Sequence, residues 1–123
     1  MNGASKKILV IDDEPDFVKT VVDYLKSSGY DVSAAHNLED AVKTFRRERP
    51  KLILLDFNMP MVTGEKFLPV LQGLDPSLKV IVITGYLVDQ VEEKFKGLGY
   101  FAFFEKAGLS LEKLKEKVKE ALA

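Results

Sequence analysis

Five polar side chains come directly after apolar or aromatic runs, where a strand would deliver them to one edge of a sheet. They are Asp12 and Asp13 after residues 8–11, Asp56 after residues 52–55, Thr84 after residues 80–83, and Lys106 at the end of the aromatic segment 100–106. A carboxylate beside an apolar core is costly unless it is protonated or has a cation as partner. The pattern therefore indicates a chemical site rather than an ordinary set of strand ends.

The residue types indicate which chemistry this would be. Asp12, Asp13 and Asp56 in one crevice would repel each other, and a hard divalent cation such as Mg²⁺, which keeps several waters and needs only one or two carboxylates, relieves that repulsion. Lys106 adds a positive charge and Thr84 a hydroxyl. A nucleophilic carboxylate, a metal, a cation and a hydrogen-bond donor together predict a site for a single phosphoryl group.

The elements that position these residues form five units of strand followed by helix. The predicted strands cover residues 6–11, 30–35, 51–56, 78–84 and 100–106. Helices are predicted after Pro15, after the capping Asn37, over about 65–71, from Val88, and over 111–123. Pro69 lies inside the third helix, where proline costs about 3 kcal/mol, so that helix is predicted to be kinked or to start late. The half-polar strand 30–35 is expected at a sheet edge.

Alternating strands and helices with short loops predict an α/β fold, with a parallel sheet covered by helices on both faces. In such a sheet ligands bind at the carboxyl ends of the strands, which is where the five polar residues lie. The chain has 123 residues, enough for one domain. We assign residues 1–5 to a polar N-terminal tail and 6–123 to the domain.

Composition excludes several classes of function. The chain has no Cys and one His, which excludes disulfides and zinc clusters of Cys and His, and its net charge of −1 provides no general attraction to nucleic acid or anionic membrane. No segment approaches the ~18 apolar residues of a membrane span. We expect a soluble cytoplasmic protein that binds neither nucleic acid nor membrane directly.

At this point the chain resembles a known family over essentially its whole length. The matching motifs are Asp12-Asp13, the sequence Asp-Phe-Asn-Met-Pro at 56–60 with Gly64, Thr84-Gly85, and Lys106 with an aromatic residue, Phe103, three positions earlier. This set is similar to that of response-regulator receiver domains of two-component signal transduction, including the chemotaxis-type single-domain regulators. The resemblance implies a doubly wound, flavodoxin-like (βα)5 fold with strand order 2-1-3-4-5.

The resemblance also implies a role for each acidic residue. Asp56 would be the phosphoacceptor, attacking a phosphohistidine of a partner. Asp13, Asp56 and the backbone carbonyl of Asn58 would bind Mg²⁺, for which Mn²⁺ could substitute, while Asp12 would act mostly through water.

The remaining site residues would bind or respond to the phosphoryl group. Thr84 and Lys106 would contact its oxygens, and movement of Thr84 would make room for Phe103 to turn inward. That change would repack the face formed by helix four, strand five and helix five. Asn58 and Tyr86 occupy the positions that tune phosphoryl lifetime in the family.

The implied partners are a histidine kinase or a histidine phosphotransfer protein and a downstream effector or output domain. A phosphorylation-dependent dimer is a further expectation. Such a protein is a signalling switch that catalyses only its own phosphorylation and dephosphorylation, and is not otherwise an enzyme. The sequence leaves open whether this is a stand-alone regulator or part of a longer one.

One departure from the family pattern keeps alternatives open. Ala107 follows Lys106 where the family usually has proline with a cis peptide, so this peptide could be trans and Lys106 placed differently. A pseudo-receiver, which keeps the fold as a protein-interaction module without phosphorylation, is therefore one alternative. A phosphatase with an aspartate nucleophile is another, although Asn58 stands where such enzymes carry a second Asp.

Overall fold

The computed structural model describes residues 7–57, 64–85 and 88–123, in which strands and helices alternate along the chain. The strands are β1 (Lys7–Ile11), β2 (Asp31–Ala35), β3 (Leu52–Asp56), β4 (Lys79–Thr84) and β5 (Ala102–Glu105). The helices are α1 (Pro15–Ser27), α2 (Leu38–Glu48), α3 (Gly64–Leu74), α4 (Val88–Phe95) and α5 (Leu111–Ala121). The strands form one parallel sheet in the order β2-β1-β3-β4-β5. The predicted fold and strand order are confirmed.

The apolar strands form a sheet that is buried on both faces. Because side chains alternate along a strand, each strand contributes to two separate cores. Leu9 and Ile11 of β1 face the core formed with α2, α3 and α4, whereas Ile8 and Val10 face the core formed with α1 and α5. The central strands β1, β3 and β4 therefore consist of continuous aliphatic runs, as parallel strands covered on both faces do.

Local signals explain where α2 begins and ends. The side chain of Asn37 accepts a hydrogen bond of 2.9 Å from the backbone N–H of Asp40, which confirms the predicted N-cap. At the other end Arg49 adopts a left-handed conformation with φ 50°, directly before Pro50. The helix thus has a side-chain cap at its start and a backbone stop at its end.

The prediction for α3 was wrong in its extent. The helix runs from Gly64 to Leu74, so it starts no later than expected, continues three residues past the predicted end, and contains Pro69 in its interior. Phe67, Leu68 and Leu71, on either side of the proline, are almost fully buried. Burial of each such side chain contributes roughly 1.5–3 kcal/mol, which together exceeds the cost of about 3 kcal/mol for an interior proline.

The two edge strands differ in character. β2, predicted at an edge, pairs with β1 alone and has a mixed burial pattern. β5 occupies the other edge, and all four of its residues are half-buried. Among the residues described, no helix has the length and apolar composition needed to cross a membrane.

Candidate functional site

The fold brings the three predicted carboxylates together at the carboxyl end of the sheet. Asp56 is the last residue of β3, and Asp12 and Asp13 follow β1, the neighbouring strand. One oxygen from each of the three carboxylates lies within 4.8 Å of the others. Asp12 and Asp56 are 1% and 3% exposed, whereas Asp13 is exposed. The site thus has two buried acids and one acid open to solvent.

Asp12 is held on several sides by polar contacts. Its backbone N–H donates to the carbonyl of Ala35 at 3.1 Å, and its Oδ1 accepts from the backbone N–H of Glu14 at 2.9 Å. The buried Oδ2 has no hydrogen bond within the part of the chain that is described, and the Lys106 ammonium lies 2.8 Å away as an ionic partner. Burial raises the pKa of Asp12 above its usual value, and the contacts with Lys106 and Glu14 offset that effect only in part.

These properties fit a divalent cation. Three close carboxylates, two of them buried, form an oxygen-rich site with excess negative charge, of the kind that Mg²⁺ prefers. The exposed position of Asp13 leaves one side of the cluster accessible to water. Asp13 and Asp56 could hold such an ion directly.

Lys106 reaches this cluster although Ala107 follows it. The peptide between Lys106 and Ala107 is trans, because no cis peptide occurs among the described residues. The Lys106 ammonium contacts Asp12 and Glu14 and lies 3.7 Å from Oδ2 of Asp56. Burial lowers the pKa of Lys106, but the contacts with these three carboxylates outweigh burial and leave the pKa above its usual value. Lys106 is therefore positively charged at neutral pH.

Thr84 and Phe103 lie on the same face of neighbouring strands. Thr84 ends β4, is fully buried, and accepts a backbone hydrogen bond of 2.7 Å from the N–H of Lys106. Phe103 in β5 is in register with Val82, two residues before Thr84. Because residues two apart in a strand point to the same face, Phe103 is the aromatic side chain of β5 nearest to the Thr84 side.

Phe103 belongs to a cluster of aromatic rings between β5 and α4. Its ring centroid lies 5.4 Å from that of Phe95 and 5.4 Å from that of Tyr100, both in edge-to-face arrangements. Phe95 is fully buried, whereas Phe103 is only half-buried. Phe103 therefore stands at the boundary between the core and the surface.

Three residues near the site were missed by sequence reasoning. Glu14 contacts Lys106, and the ring centroid of Phe17 lies 4.7 Å from the Lys106 ammonium. The Nδ1 atom of His36 lies 3.1 Å from the backbone carbonyl of Asp12, so the ring nitrogen must be the donor, because a carbonyl oxygen only accepts. His36 is exposed, and its position directly after β2 was the one signal that could have placed it near the other strand ends.

Two predicted site residues, Asn58 and Tyr86, lie outside the described residues. Their expected roles, through the Asn58 backbone carbonyl and in tuning phosphoryl lifetime, stay predictions.

The parallel sheet in the order β2-β1-β3-β4-β5 thus carries paired acids after β1, an acid at the end of β3 and a lysine after β5. Comparison with known proteins is decisive: residues 8–119 match the family model described as response regulator receiver domain, and the chain belongs to that family.

Relatives of this chain include both short and long proteins. It is 29% identical over 119 residues to sporulation initiation phosphotransferase F of Bacillus subtilis, covering 96% of this chain and 94% of that protein. It is 35% identical over 94 residues to the alkaline phosphatase synthesis transcriptional regulatory protein PhoP of the same organism, covering 76% of this chain and 38% of that protein. The chain spans about two fifths of the length of several such relatives.

Solved structures give the same result. A CheY-like receiver domain protein from Methanospirillum hungatei superimposes with a TM-score of 0.87 at 28% identity, covering 95% of this chain and 93% of that one. The response regulator TrrA from Thermotoga maritima, solved in complex with Mg²⁺ and BeF, has a TM-score of 0.84 at 29% identity and covers 94% of this chain and 98% of that one. The protein is thus a receiver domain of the response regulators, which are signalling switches.

Proposed function

We propose that Asp56 accepts a phosphoryl group from a phosphohistidine of a histidine kinase or a histidine phosphotransfer protein, in a reaction that depends on Mg²⁺. The observation that carries the proposal is the position of the Asp56 carboxylate. It lies at the end of a buried strand, beside Asp12 and Asp13, with the Lys106 ammonium 3.7 Å away. A nucleophilic carboxylate next to a positive charge suits attack on a phosphorus atom whose oxygens are negative.

The bonds change as follows. A carboxylate oxygen of Asp56 forms a bond to phosphorus while the bond from phosphorus to the histidine nitrogen breaks. The electron pair of that bond returns to the ring nitrogen, and the imidazole leaves in its neutral form because the other ring nitrogen of the phosphohistidine carries a proton. Lys106 stabilises the negative charge on the equatorial phosphoryl oxygens while the bond to Asp56 forms and the bond to the imidazole breaks. Thr84 donates a hydrogen bond to one of these oxygens. Hydrolysis later returns the carboxylate and inorganic phosphate.

The Asp cluster would hold the metal through Asp13, Asp56 and the carbonyl of Asn58, with Asp12 acting through water. Mg²⁺ bound there supplies positive charge that offsets the phosphoryl oxygens, and Mn²⁺ is expected to substitute. Asp12 contributes by holding the Lys106 ammonium at the edge of this cluster, 2.8 Å from its Oδ2.

The output of the reaction is a changed surface over α4, β5 and α5. Withdrawal of the Thr84 hydroxyl toward the phosphoryl group leaves space on the face that Phe103 shares, and Phe103 turns into it. The altered surface is recognised by a downstream effector or an output domain, or by a second copy of the chain in a phosphorylation-dependent dimer. Outside its own phosphorylation and dephosphorylation, we propose no enzymatic activity.

Intact-mass measurement after incubation with acetyl phosphate tests the proposal. We expect a gain of one phosphoryl group in the presence of Mg²⁺, no gain with a chelator, and no gain in Asp56→Asn. A protein that binds Mg²⁺ but gains no mass would instead be a pseudo-receiver.

The lifetime of the phosphoryl group is proposed to depend on Asn58 and Tyr86. A bulky residue at position 86 would shield the phosphoryl group from water. The half-life of the phosphorylated protein is expected to be shorter in Tyr86→Ala than in the wild type, and equal half-lives would contradict this role.

A further inference from the structure

Glu14 occupies the N-cap position of α1 but does not cap the helix. Its backbone is extended, Pro15 follows at the first helical position, and its side chain accepts no hydrogen bond from the helix. The side chains that ordinarily cap a helix at this position are those of Ser, Thr, Asp and Asn, and glutamate is not among them. The Glu14 carboxylate instead contacts the ammonium of Lys106, a residue 92 positions away in the chain.

This contact draws Lys106 toward the start of α1. The ammonium lies beside Glu14, 2.8 Å from Oδ2 of Asp12 and 4.7 Å from the ring centroid of Phe17, but 3.7 Å from Oδ2 of Asp56. Two of its four neighbours, Asp12 and Glu14, thus lie in the loop that joins β1 to α1, and a third, Phe17, lies in the first turn of α1. Phosphoryl transfer to Asp56 needs the ammonium on the Asp56 side, where the phosphoryl oxygens will be.

We propose that Glu14 is a positioning residue that competes with Asp56 for the Lys106 ammonium in the unphosphorylated protein, and that Lys106 must leave Glu14 for the phosphoryl group to be accepted. This inference rests on the proposed function. Glu14 touches neither the phosphorus nor its oxygens and acts through Lys106 alone. Glu14 therefore limits the rate at which Asp56 is phosphorylated.

The size of the effect follows from the exposure of the pair. The Glu14 side chain is 63% exposed and that of Lys106 is 13% exposed. Since solvent weakens such a pair, its loss is expected to change the rate of phosphorylation by about two- to five-fold and not by orders of magnitude.

Asp16 provides a matched control for Glu14. It lies in the first turn of α1, is exposed, carries the same charge, and makes no ion pair among the described residues. Asp16→Asn therefore removes one negative charge near the site and leaves the Lys106 contact intact. A rate change caused only by reduced repulsion of an anionic phosphodonor would appear in both variants.

The first experiment measures the rate of phosphorylation by acetyl phosphate with saturating Mg²⁺, using intact mass over time. Glu14→Gln is expected to react about two- to five-fold faster than the wild type. Asp16→Asn is expected to react at close to the wild-type rate. Equal rates in Glu14→Gln and wild type, or equal acceleration in both variants, would overturn the inference.

The second experiment needs neither metal nor phosphodonor. Glu14→Gln is expected to lower the urea midpoint of unfolding in the wild-type background, where it removes an attraction. In a Lys106→Met background it is expected to lower the midpoint less or to raise it, because the attraction to Lys106 is already absent and only repulsion from Asp12 and Asp56 and a favourable charge at the start of α1 are then removed. Asp16→Asn should shift the midpoint equally in both backgrounds.

The two experiments separate the failure of this inference from the failure of the proposed function. A wild-type protein that gains no phosphoryl group would overturn the proposed function and with it the kinetic role of Glu14. A wild-type protein that is phosphorylated, but in which Glu14→Gln shifts the urea midpoint equally with and without Lys106, would overturn the positioning role alone.

Discussion

The site has two halves, a carboxylate half on β1 and β3 and a β5 half, and the strands of these halves differ in burial. β1 and β3, which deliver the carboxylates, lie inside the sheet, and nearly every residue in them is buried. β5, which carries Phe103 and ends next to Lys106, is an edge strand whose residues are all half-buried. Repacking an edge breaks fewer contacts than repacking a central strand. The carboxylate half is therefore suited to holding fixed ligands, and the β5 half is suited to moving.

The largest expected effect on the free energy of unfolding comes from a substitution in β3, a strand of the carboxylate half. Leu54 of β3 is 1% exposed and packs into the core formed with α1 and α5. Leu54→Ala removes buried methyl groups and leaves a cavity, which should lower the free energy of unfolding by about 3 kcal/mol. Urea unfolding followed by circular dichroism measures this loss.

Phe103→Ala should cost about half as much, roughly 1.5 kcal/mol, although phenylalanine is the larger side chain, because Phe103 is only half-buried. The same urea unfolding measures it. A loss of stability equal to or larger than that of Leu54→Ala would contradict the difference in packing between the carboxylate half and the β5 half.

The loop that leads into β5 provides a sharper test of how the edge is held. Gly99 has φ +75°, and a Cβ atom there would lie 3.3 Å from Nε2 of Gln72, which donates a 2.8 Å hydrogen bond to the carbonyl of Leu98. Gly99→Ala should therefore lower stability by about 1 kcal/mol. Gly73→Ala is the control, since this helical position has free space and no positive φ, and should raise stability by up to about 1 kcal/mol. Thermal unfolding of both variants distinguishes strain from a general effect of added methyl groups.

The smallest expected effect concerns the other edge, β2, which is held by polar contacts. The hydroxyl of Ser33 donates to Glu48 of α2 at 2.5 Å, and this bond, followed by the contact with Arg47, lowers the pKa of Glu48 below its usual 4.5. A lowered pKa means that the ionised form stabilises the folded protein. That stability is present above pH 4.5 and is lost as the pH falls through the folded-state pKa.

Ser33→Ala should therefore lower stability at pH 7 by less than about 1 kcal/mol, because the carboxylate is near solvent, and should lower it less in acid. Urea unfolding of wild type and Ser33→Ala at pH 7 and at an acid pH below 4.5 gives the difference in the free energy of unfolding at each pH. A loss that is the same at both pH values would show that the carboxylate does not contribute.

Most of the fold could be predicted from the sequence because the aliphatic runs and the Asn37 cap are local signals. The extent of α3 could not, since the burial of residues around Pro69 is a tertiary effect. The same division holds at the site. Asp12, Asp13, Asp56 and Lys106 were identifiable by their positions after strands, but the contact from Glu14 to Lys106 spans 92 residues. Nothing in an acidic loop reveals which of its carboxylates faces a lysine from the far end of the chain.

The central claim is that phosphorylation leaves the carboxylate half in place and repacks the β5 half. Comparing the ¹H–¹⁵N spectrum of the protein before and after addition of acetyl phosphate and Mg²⁺ tests it, with Asp56→Asn as the control that should not change. We predict shifts beside the acids and, in addition, along β5 and at the adjoining end of β4, while the amides of β2 and of the second half of α1 keep their positions. Shifts confined to the amides beside Asp12, Asp13 and Asp56 would contradict the account.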